Sequence, residues 1–228
     1  MKYEISTGLI VEHFNDKSEC PLCEIKKIVE RGIAEQFLND AVMEDHTRAK
    51  VNELGFCKHH FEMLFNRPSK LSLALQISTR MKTLNRKIGE IKNFKGAKKQ
   101  AEDLKKSRAS CIICEYTDFH MVRYYKTIAQ MFFNEPDFRK QLESTKGFCF
   151  DHYEELLTYA NYAKNKTNEY LDALSTIQNR NIARIIGELK WFCDKHDYRN
   201  SNKPMGNSED VLQRSKIKLY GDEKDIIE

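Results

Sequence analysis

Proline and glycine are scarce in this chain, with four and nine among 228 residues. Both residues cut a chain into short strands and tight turns, so their scarcity points to long helices. Long apolar runs are missing as well. No segment approaches the roughly eighteen uncharged residues that a membrane-spanning helix needs, and the opening Met1-Lys2-Tyr3-Glu4-Ile5 lacks the apolar stretch of a secretory signal. There is no excess of one charge: 38 basic residues face 34 acidic ones, for a formal net charge of +4. That balance describes a mixed-sign surface rather than a nucleic-acid groove. No Gly-x-Ser-x-Gly elbow and no phosphate-cradling glycine loop occurs. The sequence therefore points away from an enzyme.

Cysteine is what the chain does have. Seven cysteines without an export signal fit reduced thiols in the cytoplasm and metal binding better than a disulfide framework. Their arrangement repeats. Cys20-Pro21-Leu22-Cys23-Glu24 recurs as Cys111-Ile112-Ile113-Cys114-Glu115, 91 residues later. Gly55-Phe56-Cys57 followed by His60 recurs as Gly147-Phe148-Cys149 followed by His152, 92 residues later. Further on, Ile88-Gly89-Glu90 through Phe94 is echoed by Ile186-Gly187-Glu188 through Phe192. Three matches in one order and nearly one register indicate duplication.

Each copy reads as helices. Ile25, Ile28, Val29, Ile33, Phe37 and Leu38 stand at helical spacing after the first cysteine pair, with residues 119–133 as their counterpart. Shorter polar helices are expected at 45–54 and 136–146, the second opened by Pro136 and both stopped by glycine, Gly55 and Gly147. Long helices are expected over 69–93 and 165–196. Between the copies, the Lys-rich stretch 95–110 reads as an exposed helix end or a linker. The expected fold is all-α: an internally duplicated helical bundle, each half pinned by a Cys3His metal site, with an extended C-terminal tail and a short last helix. The expected division is a first repeat with linker over 1–110, a second over 111–200 and a tail over 201–228.

Thiolate and imidazole in a set of four suit zinc. A Cys-x2-Cys turn wraps one ion, and a Cys-x2-His pair places both ligands on one helix face. That spacing selects His60 over His59, as does the repeat, where Asp151 replaces His59 and His152 replaces His60. Pairing neighbours in sequence gives Cys20, Cys23, Cys57 and His60 as one site, and Cys111, Cys114, Cys149 and His152 as the other. Two Zn2+ per chain are expected, with iron–sulfur clusters as the alternative. Four protein ligands close the coordination sphere, so such sites organise structure rather than catalyse. Lys26, Lys27 and Lys58 lie near the thiolates in sequence.

The tail offers a second constellation. Asp197, Tyr198, Arg199 and Asn200 bring together a carboxylate, a phenol, a guanidinium and an amide, and Asn207 follows. Such a group binds a ligand or docks the tail by hydrogen bonds. Asn207 or Ser208 is expected to cap the last helix, with Glu209 and Asp210 in its first turn. Cys193 and His196 form one more Cys-x2-His pair, without a Cys-x2-Cys partner.

Together these residues resemble an uncharacterised family of cysteine-rich proteins from anaerobic Gram-positive bacteria, catalogued as a domain of unknown function. The resemblance covers nearly the whole chain: Met1 to Ile5, both cysteine pairs, both Gly-Phe-Cys elements with their histidines, and Leu73-Ala74-Leu75. It continues through Pro136-x-Phe138-Arg139, Trp191-Phe192, Asp197-Tyr198-Arg199-Asn200 and Pro204-x-Gly206-Asn207-Ser208. The family usually carries tryptophan where Met205 stands, and Cys193 and His196 are not among its positions. The resemblance implies no activity. The functional expectation is a cytoplasmic, zinc-stabilised helical protein acting as a binding or scaffold module for a protein or small molecule. A redox or enzymatic protein with iron–sulfur clusters or labile zinc is the alternative. Nucleic-acid binding by a zinc protein is a third reading, carried by Lys95, Lys98, Lys99, Lys105, Lys106 and Arg108.

Overall fold

Helix follows helix because apolar residues return every third or fourth position and few prolines interrupt them. A computed structural model describes residues 5–222; the first four residues of the opening motif and 223–228 of the expected tail lie outside the described residues. Over the described span it contains α1 (Ile5–His13), α2 (Pro21–Leu38), α3 (Asp45–Leu54), α4 (Lys58–Phe65), α5 (Lys70–Arg86) and α6 (Phe94–Ala109). Then follow α7 (Ile112–Asn134), α8 (Pro136–Ser144), α9 (Phe150–Thr158), α10 (Thr167–Lys195) and α11 (Val211–Tyr220). Four 3-10 segments join them, and no strand occurs among the described residues. The chain is all-α, as its composition implies.

The described residues fall into two units: 5–27 together with 121–222, and 28–120. The divisions lie inside α2 and α7, so neither unit is one sequence repeat. In the unit of residues 28–120, Phe37 from α2 anchors the core. Its ring meets Phe56 edge-on at 6.3 Å and Tyr116 at 5.7 Å, among buried Val51, Leu64 and Ile113. In the other unit Phe14 lies 5.6 Å from Phe138 and 6.0 Å from Phe148, and the fully buried Tyr170 packs on Phe132 at 5.0 Å. Ile28, counted by spacing with the apolar face of α2, is instead exposed; it is the first residue past the division.

Three boundaries differ from expectation. The first long helix stops at Arg86 rather than Asn93, because Asn93 opens a new helix. Its backbone is extended and its side chain accepts from the Gly96 N–H at 2.9 Å, the bond that caps a helix start. At the echoed position in α10 stands Trp191, which cannot cap, and that helix runs on to Lys195. The stretch 95–110 is accordingly neither a helix end nor a linker but nearly all of α6. The last helix begins at Val211, beyond the expected Asn207 or Ser208. Asp210 stands at its N-cap but spends its carboxylate on Arg214 Nε at 2.8 Å.

Candidate metal centres

All four ligand-bearing turns sit at helix starts. Cys57 and Cys149 are the N-cap residues of α4 and α9, in extended backbone conformation. One turn on, His60 Nδ1 lies 3.3 Å from Cys57 Sγ, and His152 Nδ1 lies 3.1 Å from Cys149 Sγ. Cys20 and Cys111 stand directly before α2 and α7, so Cys23 and Cys114 fall in the first turns. Gly55 and Gly147 lead into the Cys-x2-His turns at φ +69° and +77°, a region that favours glycine.

Side chains assemble from these turns into two groups: Cys20, Cys23, Cys149 and His152, and Cys57, His60, Cys111 and Cys114. Within each, one ligand atom per residue lies within 4.8 Å of every other. A tetrahedral ion with metal–sulfur bonds of about 2.3 Å and metal–nitrogen bonds of about 2.0–2.1 Å needs edges of about 3.8 Å between sulfurs and about 3.5 Å between sulfur and nitrogen. Cys149 Sγ stands 3.8 Å from both Cys20 Sγ and Cys23 Sγ, and Cys57 Sγ stands 3.9 Å from Cys114 Sγ. Besides the two turn contacts, Nδ1 of His152 lies 3.4 Å from Cys20 and 3.5 Å from Cys23, and Nδ1 of His60 lies 3.3 Å from both Cys111 and Cys114. The donor sets fit one ion each, through Nδ1 of the histidine.

This overturns the pairing of neighbours in sequence. Cys57 and His60 close on Cys111 and Cys114, while Cys20 and Cys23 close on Cys149 and His152. The physical reason lies in contacts inside each unit: the Ile112 N–H donates to the Gly55 carbonyl at 3.0 Å, which brings the approach to Cys57 beside Cys111, and Lys218 holds the carbonyls of Glu19 and Lys146 together ahead of Cys20 and Cys149.

Each pair of turns is held by one buried cation donating to carbonyls. Arg80 of α5 donates to Asn52 and Glu53 at the end of α3, at 2.6 and 2.7 Å, and to Ser107 of α6 at 2.6 Å. It thereby fixes the approach to Cys57 beside the approach to Cys111. Lys218 of α11, 2% exposed, donates to the carbonyls of Glu19 and Lys146, just ahead of Cys20 and Cys149. Gln178 completes this second arrangement, with its amide bonded to both N–H and C=O of Phe148 at 3.0 Å.

Charge supports a cation between the ligands. From the protein groups alone the thiols compete for one negative charge. Burial pushes the Cys20 thiol well up, the bond to Cys149 pushes Cys23 up to about 12, and the same contacts hold Cys149 far down as thiolate. Likewise Cys111 and Cys57 push Cys114 up, while Cys111 and Cys114 hold Cys57 down. Burial works to lower His60, but the Cys111 and Cys57 sulfurs and Glu30 raise it to about 11. A divalent ion removes the competition. Three thiolates and a dication leave one negative charge, and two helix N-termini meet at each centre, each worth about half a positive charge. That balance is supplied by backbone. Of the lysines singled out by proximity, Lys58 is exposed and pairs with Glu62, and Lys27 pairs with Asp222.

Around the ligands, Glu30 stands 3.7 Å from His60 Nε2, the place of a carboxylate that orients a metal-bound imidazole. His59 lies outside the four-ligand group, its ring edge-on to His60 at 4.8 Å. Sequence reasoning missed Glu30, Arg80 and Lys218. Nothing in their local sequence marks them, since each acts across a long chain separation.

A family model described as a family of unknown function, DUF6062, matches residues 1–226. The chain belongs to this family. No curated protein and no solved structure matches it. The family's span takes in both centres and the tail.

The tail residues bond locally. Asp197 accepts from Arg199 Nε at 3.0 Å and NH2 at 2.6 Å, and Asn200 donates to the Asp194 carbonyl at 2.8 Å. Tyr198 is exposed, and the Asn207 carbonyl accepts from Arg214. Trp191 Nε1 donates to the Pro204 carbonyl at 3.2 Å, tying the returning stretch of chain to α10. Cys193 and His196 are both exposed and join no group of ligands among the described residues. No helix among the described residues is long and apolar enough to cross a membrane.

Proposed function

We propose that the chain is a cytoplasmic protein stabilised by two zinc ions, serving as a helical binding or scaffold module. The observation that carries this reading is a pair of ligand groups, each of three sulfurs and one nitrogen, with contacts that include distances of 3.1 to 3.9 Å and every ligand atom within 4.8 Å of the others. An iron–sulfur cluster places sulfides between its irons and so spreads its ligands more widely than one ion does; ligand atoms within 4.8 Å leave room for a single ion. Four protein donors leave no position for water or substrate, which favours a structural role over a catalytic one. The duplicated motifs supply two such centres, each joining segments remote in sequence.

Metal analysis of natively purified protein tests this directly. Two zinc ions per colourless chain are expected; iron with stoichiometric sulfide would overturn the proposal. Double variants test the ligand sets. Cys20→Ser with Cys149→Ser should lose one ion, because both residues serve one centre, and Cys20→Ser with Cys57→Ser should lose two. The reverse result would restore pairing between sequence neighbours.

A further inference from the structure

Two versions of one ligand set differ in how deeply they lie. All four residues of the Cys20 centre are buried, whereas Cys57 and Cys114 of the Cys57 centre are half-buried. Residues 218–222 lie against the deeper centre. Beyond α11, Gly221 turns at φ +78° and passes so near the ligands that a β-carbon there would stand 3.6 Å from Cys23 Sγ and 4.0 Å from Cys149 Sγ. The next N–H, of Asp222, donates to Cys23 Sγ at 3.3 Å, and the Asp222 carboxylate binds Lys27 Nζ at 2.8 Å. One turn earlier Lys218 holds the carbonyls of Glu19 and Lys146 and stands 3.3 Å from the Glu19 carboxylate. At the Cys57 centre the corresponding pinning comes from Arg80, inside the bundle, which donates to backbone carbonyls.

Ion loss from a thiolate centre proceeds by stepwise replacement: an incoming donor binds as a sulfur or nitrogen leaves. An accessible sulfur allows the first replacement, and a covered one delays it. We infer that the two ions are kinetically unequal, the Cys57 centre exchanging its ion with dissolved chelators and the Cys20 centre retaining its own because residues 218–222 seal it. The inference rests on the proposal that both centres hold metal, and it gives them different roles: one ion permanent, the other available to donors in solution.

The test mixes fully loaded protein with excess of a chromophoric chelator and follows release. Two phases of one ion each are expected, at least tenfold apart in rate, with the fast phase absent from Cys57→Ser. Lys218→Met and Gly221→Val should each accelerate the slow phase at least tenfold and leave the fast phase unchanged. Maleimide labelling of the loaded parent protein, read by mass spectrometry, gives an independent order. Exposed Cys193 reacts first as internal reference, then Cys57 and Cys114, then Cys20, Cys23 and Cys149. A single release phase, a fast phase that survives Cys57→Ser, or equal labelling of the two centres overturns the inference while leaving the centres intact. A slow phase unmoved in both tail variants overturns the seal. Protein isolated without any metal overturns the proposed function instead.

Discussion

Gly55 shows how one residue can serve two requirements. Its backbone lies at φ +69° and ψ −158°, a region that is essentially glycine's alone. A β-carbon there would also approach Arg80 Nε to 2.8 Å. That guanidinium cannot simply swing aside, since its bonds to carbonyls at the ends of α3 and α6 position both turns of the Cys57 centre. Gly55→Ala should therefore cost about 1–3 kcal/mol from backbone strain alone. Arg80→Met should cost a similar amount by removing the charged donor shared by the carbonyls of Asn52, Glu53 and Ser107. Because both changes disturb the same contact, the double variant should be less destabilised than the sum of the two. Urea denaturation of the metal-loaded proteins measures all three, and strictly additive costs would show that the glycine and the arginine act separately.

Among the elements, α6 depends most on a local signal. Ser107 is its buried residue, so packing contributes little, and the Asn93 cap is what fixes its start. Asn93→Ala should cost about 1 kcal/mol, appearing as faster amide exchange in α6 with metal content still at two ions. Unchanged exchange would mean that tertiary contacts alone hold the helix. The same cap explains what could be read from sequence. Helix α3 falls at 45–54 as its polar pattern and the Gly55 stop suggest, and α8 starts at Pro136. The stretch 88–93 misled because its echo in α10 is helical, and periodicity does not show that Asn93 starts a new helix while Trp191 continues an old one. The ligand residues were legible from spacing, including the choice of His60. Their partnership was not. Four half-sites in a row can close as neighbours or as a nested set, and the decision belongs to contacts between remote segments, such as the Ile112 N–H on the Gly55 carbonyl, which local pattern does not show.

For the whole molecule, folding and metal binding are one equilibrium. Thiols held protonated in the metal-free protein must lose those protons to an ion. At the Cys20 centre these are Cys20 and Cys23, the latter pushed up to about 12; at the other it is Cys114, and the His60 imidazole, raised to about 11, must lose a proton as well. Protons should therefore leave as each ion binds, so affinity should strengthen as pH rises. The sign follows from the bound state: metal holds the thiolates ionised far below the ordinary thiol value of about 8.5, so the stability it contributes is present at high pH and lost as pH falls. Melting temperatures of loaded protein should drop with acidification, converging on those of metal-free protein, which should move less. Parallel curves for the two forms would contradict the linkage.

The nested closure also sets a timetable for the chain as it is made. The inner loop, from His60 to Cys111, is complete once Cys114 has emerged, and its ion can bind before Cys149 and His152 are made. The outer loop, from Cys23 to Cys149, is roughly two and a half times as long, a difference worth only about 0.8 kcal/mol in closure entropy. Its delay lies in synthesis rather than in entropy. Cys20 and Cys23 leave the ribosome before the other ligand thiols and are enclosed after them, since Gly221 and Asp222, which cover them, come more than seventy residues after Cys149. A truncated or stalled product would thus carry a finished inner centre and an unprotected outer pair of thiols, a chemical mark of incompleteness built into the order of the sequence.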